Sequence, residues 1–122
     1  MRVHHRLDVW QRSIEFAEKI YRAVGSFPRN EEYGLGVQLK RAAISIPSNI
    51  AEGAARKSKR EFVQFLYVAA GSASEIDTQL ALALKLGFLS QELKAGLDAE
   101  LDIISKMISS LINSQKRPPT AR

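Results

Sequence analysis

Apolar residues recur at intervals of three and four along most of this chain, which is the spacing of one face of an α helix. Start and stop signals divide this pattern into predicted helices at about 8–25, 31–56, 59–86 and 91–114. No segment shows the alternation of a β strand, and short joints between the segments favour antiparallel neighbours. The sequence therefore predicts an all-α fold, a single up-down-up-down antiparallel four-helix bundle over residues 1–122, with a disordered tail at 115–122.

The first two predicted helices begin at the N-cap residues Asp8 and Asn30. The apolar line expected to face the core comprises, on the first helix, Trp10, Ile14, Ala17, Tyr21 and Val24, and on the second, Leu35, Leu39, Ala42, Ile46 and Ile50. Pro47 lies inside the second helix and removes one backbone hydrogen bond there. We therefore expect a kink or a break at Pro47.

The last two predicted helices begin at Ser58, which forms a capping box with Glu61, and at Ser90. Their core lines comprise Phe62, Leu66, Ala69, Ala73, Ile76, Leu80 and Ala83, and Leu93, Leu97, Leu101, Ile104, Ile108 and Leu111. A second apolar line on the third helix comprises Val63, Tyr67, Ala70, Ala81 and Leu84. Either the core face is unusually broad or this second line packs on another subunit, and we expect the latter, a homo-oligomer.

Composition excludes several classes of protein. Because the chain has no cysteine, it has neither disulfides nor thiol chemistry. Its first residues are charged, unlike a signal peptide, and its longest uncharged run, 62–74, is shorter than the roughly 20 residues that cross a bilayer. We therefore expect a cytoplasmic protein without membrane contact.

The net charge of +5 is concentrated in the first half of the chain. Residues 1–61 contain 12 Lys and Arg against 7 Asp and Glu, whereas residues 62–122 contain 6 of each kind. Such asymmetry favours an anionic partner, nucleic acid before membrane, although a well-solvated surface explains charge alone equally well.

Catalytic arrangements are missing from the pattern. The histidines, His4 and His5, precede the first helix, so the Glu-x-x-His pairs of di-iron bundles cannot form, and no phosphate-binding glycine loop is present. Carboxylates two residues apart, such as Glu75 and Asp77 or those at 98, 100 and 102, point in different directions on a helix. The sequence predicts no enzyme activity, no metal and no cofactor.

The most distinctive stretch is residues 38–53, QLKRAAISIPSNIAEG, followed by FVQFL at 62–66 and GSASE at 71–75. Over roughly residues 7–112 the chain resembles the 23S ribosomal RNA intervening-sequence protein family. That resemblance implies a bacterial four-helix protomer of unknown function that assembles into a ring-shaped homopentamer without known catalysis. The accessory protein of diversity-generating retroelements, a basic pentamer that binds nucleic acid and a reverse transcriptase, is similar in shape. The family pattern often has an Arg before Gly-Ser, where this chain has Ala70.

Polar residues of this motif surround Pro47, and we expect them to repair the helix there and to link the second and third helices. The motif residues are Ser45, Pro47, Ser48, Asn49, Glu52, Gly53, Gly71, Ser72 and Glu75. The alternative is a ligand pocket formed by Asn49, Glu52 and Glu75.

A cationic cluster is the best functional candidate: Lys40, Arg41, Arg56, Lys57, Lys59 and Arg60. Repeated around an oligomer, it would bind RNA or DNA phosphates without sequence preference, directly or as a scaffold in an RNA-linked process. No aromatic residue interleaves with the cluster in sequence, which argues against base stacking. The alternative hypothesis is a protein-interaction module that recruits a polymerase or ribosomal partner without contacting nucleic acid.

Overall fold

Four α helices make up most of the computed structural model, which describes residues 2–31 and 34–117. The helices are α1 (Asp8–Val24), α2 (Leu35–Ala54), α3 (Lys59–Lys85) and α4 (Gln91–Lys116), with short 3₁₀ helices at Val3–Arg6 and Arg29–Glu31. Consecutive helices pack side by side, and α1 also packs on α4, so the four helices enclose one core. The all-helical prediction is confirmed, and the described residues contain no strand.

Aliphatic side chains fill the space between the helices. The largest apolar side chains that are fully buried are Phe16, Ile20, Leu39, Ile46, Ile50, Leu66, Ile76, Leu80, Ile104 and Ile108. Each stabilises the fold by about 1.5–3 kcal/mol relative to an exposed position. Most of these residues were predicted to face the core on α2, α3 and α4. The spacing of apolar residues therefore identified the core face of three of the four helices.

The predicted core face of α1 was partly wrong: Ala17 and Val24 are buried and Trp10 packs against the core, but the other two predicted residues are not. Ile14 and Tyr21 are 44% and 42% exposed, whereas Phe16 and Ile20 are fully buried. The buried line of α1 includes a polar residue, Ser13, whose hydroxyl is satisfied by donating to the Trp10 carbonyl at 2.8 Å. A polar side chain that satisfies itself on its own helix can lie in an apolar interface, and sequence patterning does not reveal this.

α2 begins four residues later than predicted, because residues 29–31 form a separate 3₁₀ turn. The Oε1 atom of Glu31 accepts a hydrogen bond from the Leu35 N–H at 3.1 Å and so caps the helix from the preceding turn. The first turn of α2 lies close to the Glu31 backbone, and Gly36 permits this because a Cβ there would lie 2.9 Å from the Glu31 carbonyl oxygen.

α2 continues through Pro47 without interruption, so the helix is not broken there, and a kink stays a prediction. The serine caps of α3 and α4 are present: Ser58 Oγ accepts from the Glu61 N–H and Ser90 Oγ from the Leu93 N–H, both at 3.1 Å. In a capping box the Glu61 carboxylate is also expected to accept a hydrogen bond from the Ser58 N–H, and this bond is replaced here. The Ser58 hydroxyl donates to the Glu61 carboxylate at 3.2 Å, and Glu61 does not reach the Ser58 N–H.

α4 ends at Lys116, inside the segment predicted as a tail, and residues 118–122 of that segment lie outside the described residues. The two extra residues include Lys116, and a cation near a helix C-terminus interacts well with the helix dipole.

Candidate nucleic-acid interface

The up-down-up-down order brings the start of α1, the end of α2, the start of α3 and the end of α4 to the same end of the bundle. Exposed cations from each of these segments lie there: Arg2, Arg6, Arg56, Lys57, Lys59, Arg60, Lys116 and Arg117. We call this set the basic end. Its acidic residues are fewer, and they are Asp8, Glu52 and Glu61.

Two grooves show how the segments meet. One, of about 580 Å³, is lined by Arg2, His4 and His5 on one side and by Ala54 and Ala55 on the other. The residues before α1 therefore lie against the last turn of α2. A second groove joins the first turns of α3 to the last turn of α4 and is described below.

The structure divides the predicted cationic cluster. Lys40 lies near the other end of the bundle, with its Nζ 5.0 Å from the centre of the Tyr21 ring. At about 1.5 Å per residue, Arg41 is roughly 22 Å along α2 from Arg56. Lys40 and Arg41 therefore cannot share one phosphate contact with the other four predicted cations.

Arg56 is held by two neighbours at the basic end. Its guanidinium bonds the Glu52 carboxylate at 2.6 Å and lies 4.9 Å from the centre of the Phe65 ring. This pairing neutralises part of its charge, so the cations with more freedom to meet an anion are Lys57, Lys59 and Arg60.

The groove between α3 and α4 has a volume of about 420 Å³. Its lining residues are Lys59, Arg60, Val63, Gln64, Tyr67, Gln115 and Lys116. The Nζ of Lys116 donates to the Tyr67 hydroxyl at 3.3 Å and lies 5.7 Å from the ring centre. No aromatic residue was expected among the cations, and this expectation was wrong. Tyr67 lies two helical turns after Lys59 in the chain, but its side chain lines the same groove as Lys59, Arg60 and Lys116.

Charges at the opposite end are more evenly matched. Arg22 pairs with Glu18 at 2.8 Å, and Lys94 pairs with Asp98 at 2.6 Å. Two of the cations at that end are therefore partly neutralised by carboxylates on their own helices.

The polar residues around Pro47 form an internal link between helices. Ser72 on α3 donates to Ser45 Oγ at 2.7 Å, and the Asn49 side chain donates to the Ser45 carbonyl at 2.8 Å and to Ser45 Oγ at 3.0 Å. Asn49 thus bonds Ser45 and not the Ala43 carbonyl that Pro47 leaves unpaired, so these bonds link the motif residues without making the predicted repair.

The other motif residues have separate surroundings. Glu52 pairs outward with Arg56, and Ser48 and Glu75 are exposed. A ligand pocket of Asn49, Glu52 and Glu75 is therefore not supported, since these side chains do not converge. Gly53 marks a close helix crossing, because a Cβ there would lie 2.8 Å from atoms of Phe62 and Phe65. A Cβ at Gly71 would meet nothing within 4 Å.

The second apolar line on α3 is divided between the core and the surface. Val63 and Ala70 pack against the core, and Leu84 is half-buried. Tyr67 is 53% exposed, and Ala81 is also exposed. The core face is therefore broad, and the line is not a continuous exposed strip.

His4 and His5 are packed rather than on a loose arm. His5 stacks on Trp10 with ring centres 4.6 Å apart, and His4 meets the same ring edge-on at 4.9 Å. Desolvation, followed by the charges of His5 and Arg2, lowers the pKa of His4 below its ordinary value. In the part of the chain that the structure describes, no three acidic or histidine side chains are grouped to hold a metal ion.

The acidic residues of α4 point to different partners. Glu100 accepts from Arg12 Nε at 3.1 Å, linking α4 to α1, while Asp98 pairs within its own helix. The bond to Glu100 raises the pKa of Arg12. Within residues 2–31 and 34–117, no helix combines the length and the apolar character that crossing a bilayer requires.

A family model described as 23S rRNA-intervening sequence protein matches residues 5–110. The chain belongs to that family. A solved structure of a protein with unknown function from the S23 ribosomal protein family of Bacteroides thetaiotaomicron is similar to this 23S rRNA-intervening sequence protein, with a TM-score of 0.80 and 24% identity. The likeness covers 86% of this chain and 95% of that one, and it shows the fold. Comparison with curated proteins gives no significant match.

Several residues of the basic end of this 23S rRNA-intervening sequence protein were missed in the sequence. Arg2, Arg6, Lys116 and Arg117 lie far from the predicted cluster along the chain, and the last two were assigned to a tail. They could have been found from the predicted topology. In an antiparallel bundle, charges near every second helix boundary meet at the same end.

Proposed function

We propose that this protein is a non-enzymatic homo-oligomer that binds RNA or DNA through backbone phosphates at its basic end. The observation that carries the proposal is the meeting of exposed cations from four chain segments at one end of the bundle. Phosphate contacts require cations but no sequence-specific geometry. Repetition around an oligomer would multiply modest single contacts through their high effective concentration.

The positions of Lys59 and Arg60 support a role in binding. They are the first two residues of α3, where the helix dipole disfavours cations by a few tenths of a kcal/mol or more. Helix stability therefore does not explain these two residues, which supports the proposal that they contact an anion.

The test is salt-dependent binding of labelled RNA, followed by fluorescence anisotropy between about 50 and 200 mM salt. The triple variant Lys57→Glu, Lys59→Glu, Arg60→Glu should lose most of the affinity. Its remaining salt dependence should be shallower, by about 0.7–0.9 in log–log slope for each phosphate contact removed.

A matched control reverses the same number of charges elsewhere. Lys19, Arg29 and Lys85 are exposed and lie at the opposite end of the bundle, so their change to Glu produces the same net charge. This control should retain most of the affinity. Equal loss in both variants would mean that only net charge matters, and no binding by the unaltered protein at low salt would exclude the proposal.

A protein-interaction module is the outcome to distinguish from nucleic-acid binding. A partner captured equally after nuclease treatment, by a protein that shows no direct RNA binding, would favour the module.

Assembly into a homo-oligomer, a pentamer by family resemblance, is part of the same proposal. Val68 and Leu82 on α3 and Leu86, the residue after it, are each about half exposed and lie within about 40° of one another around the helix axis. Such apolar surface on one helix is typical of subunit contacts. Light scattering after size exclusion should give a multiple of the 13.6 kDa chain mass, and Leu82→Glu should lower that mass. A single copy in dilute solution would exclude the assembly.

A further inference from the structure

We propose that the groove between α3 and α4 binds an unpaired base of single-stranded nucleic acid, with Tyr67 as the stacking surface. This inference rests on the proposed function and specifies the form of nucleic acid that the basic end prefers.

The size and lining of the groove fit a nucleotide. Its volume of about 420 Å³ lies within the usual range for small-ligand sites, about 300–1,000 Å³. The wall on α3 carries Lys59 and Arg60, and the wall on α4 carries Lys116. Cations on both walls can contact consecutive phosphates of a strand that runs along the groove.

Tyr67 supplies an aromatic surface for stacking on a base, which a surface that contacts only phosphates does not have. It is 53% exposed, so much of the side chain remains accessible. Every base has an aromatic face, and an exposed ring inside a basic groove is the usual arrangement for binding single strands without sequence preference.

The position of the Tyr67 ring is restrained before any ligand arrives. The Lys116 ammonium donates to the phenolic oxygen at 3.3 Å, which ties the ring on α3 to the last turn of α4. Restraint of this kind lowers the ordering cost of binding. Gln64 and Gln115 line the same groove, and their amides offer both a donor and an acceptor to the edge of a base.

A duplex does not fit this chemistry. Its bases are stacked on one another and present only their edges, so a ring on the protein cannot stack on them without unpairing. The backbone N–H groups at the start of α3 are not the binding feature, because Ser58 already accepts from the Glu61 N–H there.

Tyr21 provides a matched control at the other end of the bundle. It is 42% exposed, and the ammonium of Lys40 lies 5.0 Å from its ring centre, as Lys116 lies near Tyr67. Tyr21→Leu therefore removes an equivalent aromatic side chain together with its lysine contact, but outside the groove.

The experiment compares a single-stranded uridine RNA of about 12 nucleotides with an RNA duplex of the same length. Tyr67→Leu should weaken single-strand binding by about 5- to 150-fold and leave duplex binding nearly unchanged. Tyr67→Phe should retain most of the single-strand affinity because the ring remains, and Tyr21→Leu should behave like the unaltered protein. With 4-thiouridine in the strand, a photochemical crosslink should map to the peptide that contains Tyr67.

Each contrary result has a distinct meaning. Equal weakening of single strand and duplex, or no weakening, would overturn the stacking role while phosphate binding stands. A change in oligomer mass for Tyr67→Leu would assign Tyr67 to a subunit contact and overturn the inference. If the unaltered protein binds neither RNA at low salt, the proposed function itself fails.

Discussion

The hydroxyl of Ser72 on α3 donates to the hydroxyl of Ser45 on α2 at 2.7 Å, which joins the two helices through polar atoms inside a mainly apolar bundle. Ser72 is 6% exposed, so it has little access to water if its partner is removed. The bond therefore fixes how α2 and α3 align along their length.

Ser45→Ala should destabilise the fold by about 1–3 kcal/mol, because it leaves both Ser72 and the Asn49 amide without that acceptor. The double variant with Ser72→Ala should cost less than the sum of the single changes, since neither hydroxyl is then left unpaired. Urea unfolding measures these differences. Ser74→Ala, at an exposed position on α3, is the control and should change stability by less than about 0.5 kcal/mol.

Gly53→Ala should destabilise the fold by about 1–3 kcal/mol, because the new methyl group would lie 2.8 Å from the Phe65 Cβ. Gly71→Ala should instead stabilise an isolated protomer by about 0.5–1 kcal/mol, since it adds helix propensity in open space. Thermal and urea unfolding of both variants provides the comparison. Similar changes in the two would contradict the close crossing at Gly53.

The two possible core faces of α1 can be separated by Ile20→Ala and Ile14→Ala. Ile20 is fully buried, so its truncation should cost about 2–5 kcal/mol. Ile14 is 44% exposed, and its truncation should cost less than about 1 kcal/mol in a single protomer. A larger cost for Ile14→Ala than for Ile20→Ala, measured where the protein is monomeric, would favour the face predicted from the pattern.

The spacing of apolar residues predicts some features of this fold and not others. The helix number, the serine caps and three core faces followed from the sequence because each depends on local spacing. The face of α1 followed only in part, because its buried line includes Ser13, a polar residue whose hydroxyl is satisfied by the Trp10 carbonyl. For the candidate site, Lys57, Lys59 and Arg60 were found as a run in the chain. Tyr67 and Lys116 were not assigned to it, since they become neighbours of that run only when α3 and α4 pack.

The lowered pKa of His4 makes stability depend on pH. The folded chain binds this proton less readily than the unfolded chain does. The associated stability is therefore present above the ordinary histidine pKa of about 6.5 and is lost as the pH falls through the lowered value. His4→Gln should show a smaller decrease in melting temperature between about pH 7.5 and pH 5. An equal decrease in variant and unaltered protein would assign the acid sensitivity to other groups.

The basic end has one further consequence, because Arg2 and Arg6 precede α1 while Lys116 and Arg117 end α4. These cations share one end of the bundle only while the first and last helices remain docked, so a polyanion that contacts both groups stabilises the native state. Ligand that binds only the native chain adds about 2.7 kcal/mol of stability when its free concentration is a hundred times Kd. Binding of RNA at the basic end can therefore be measured as a rise in melting temperature, without any label on the RNA.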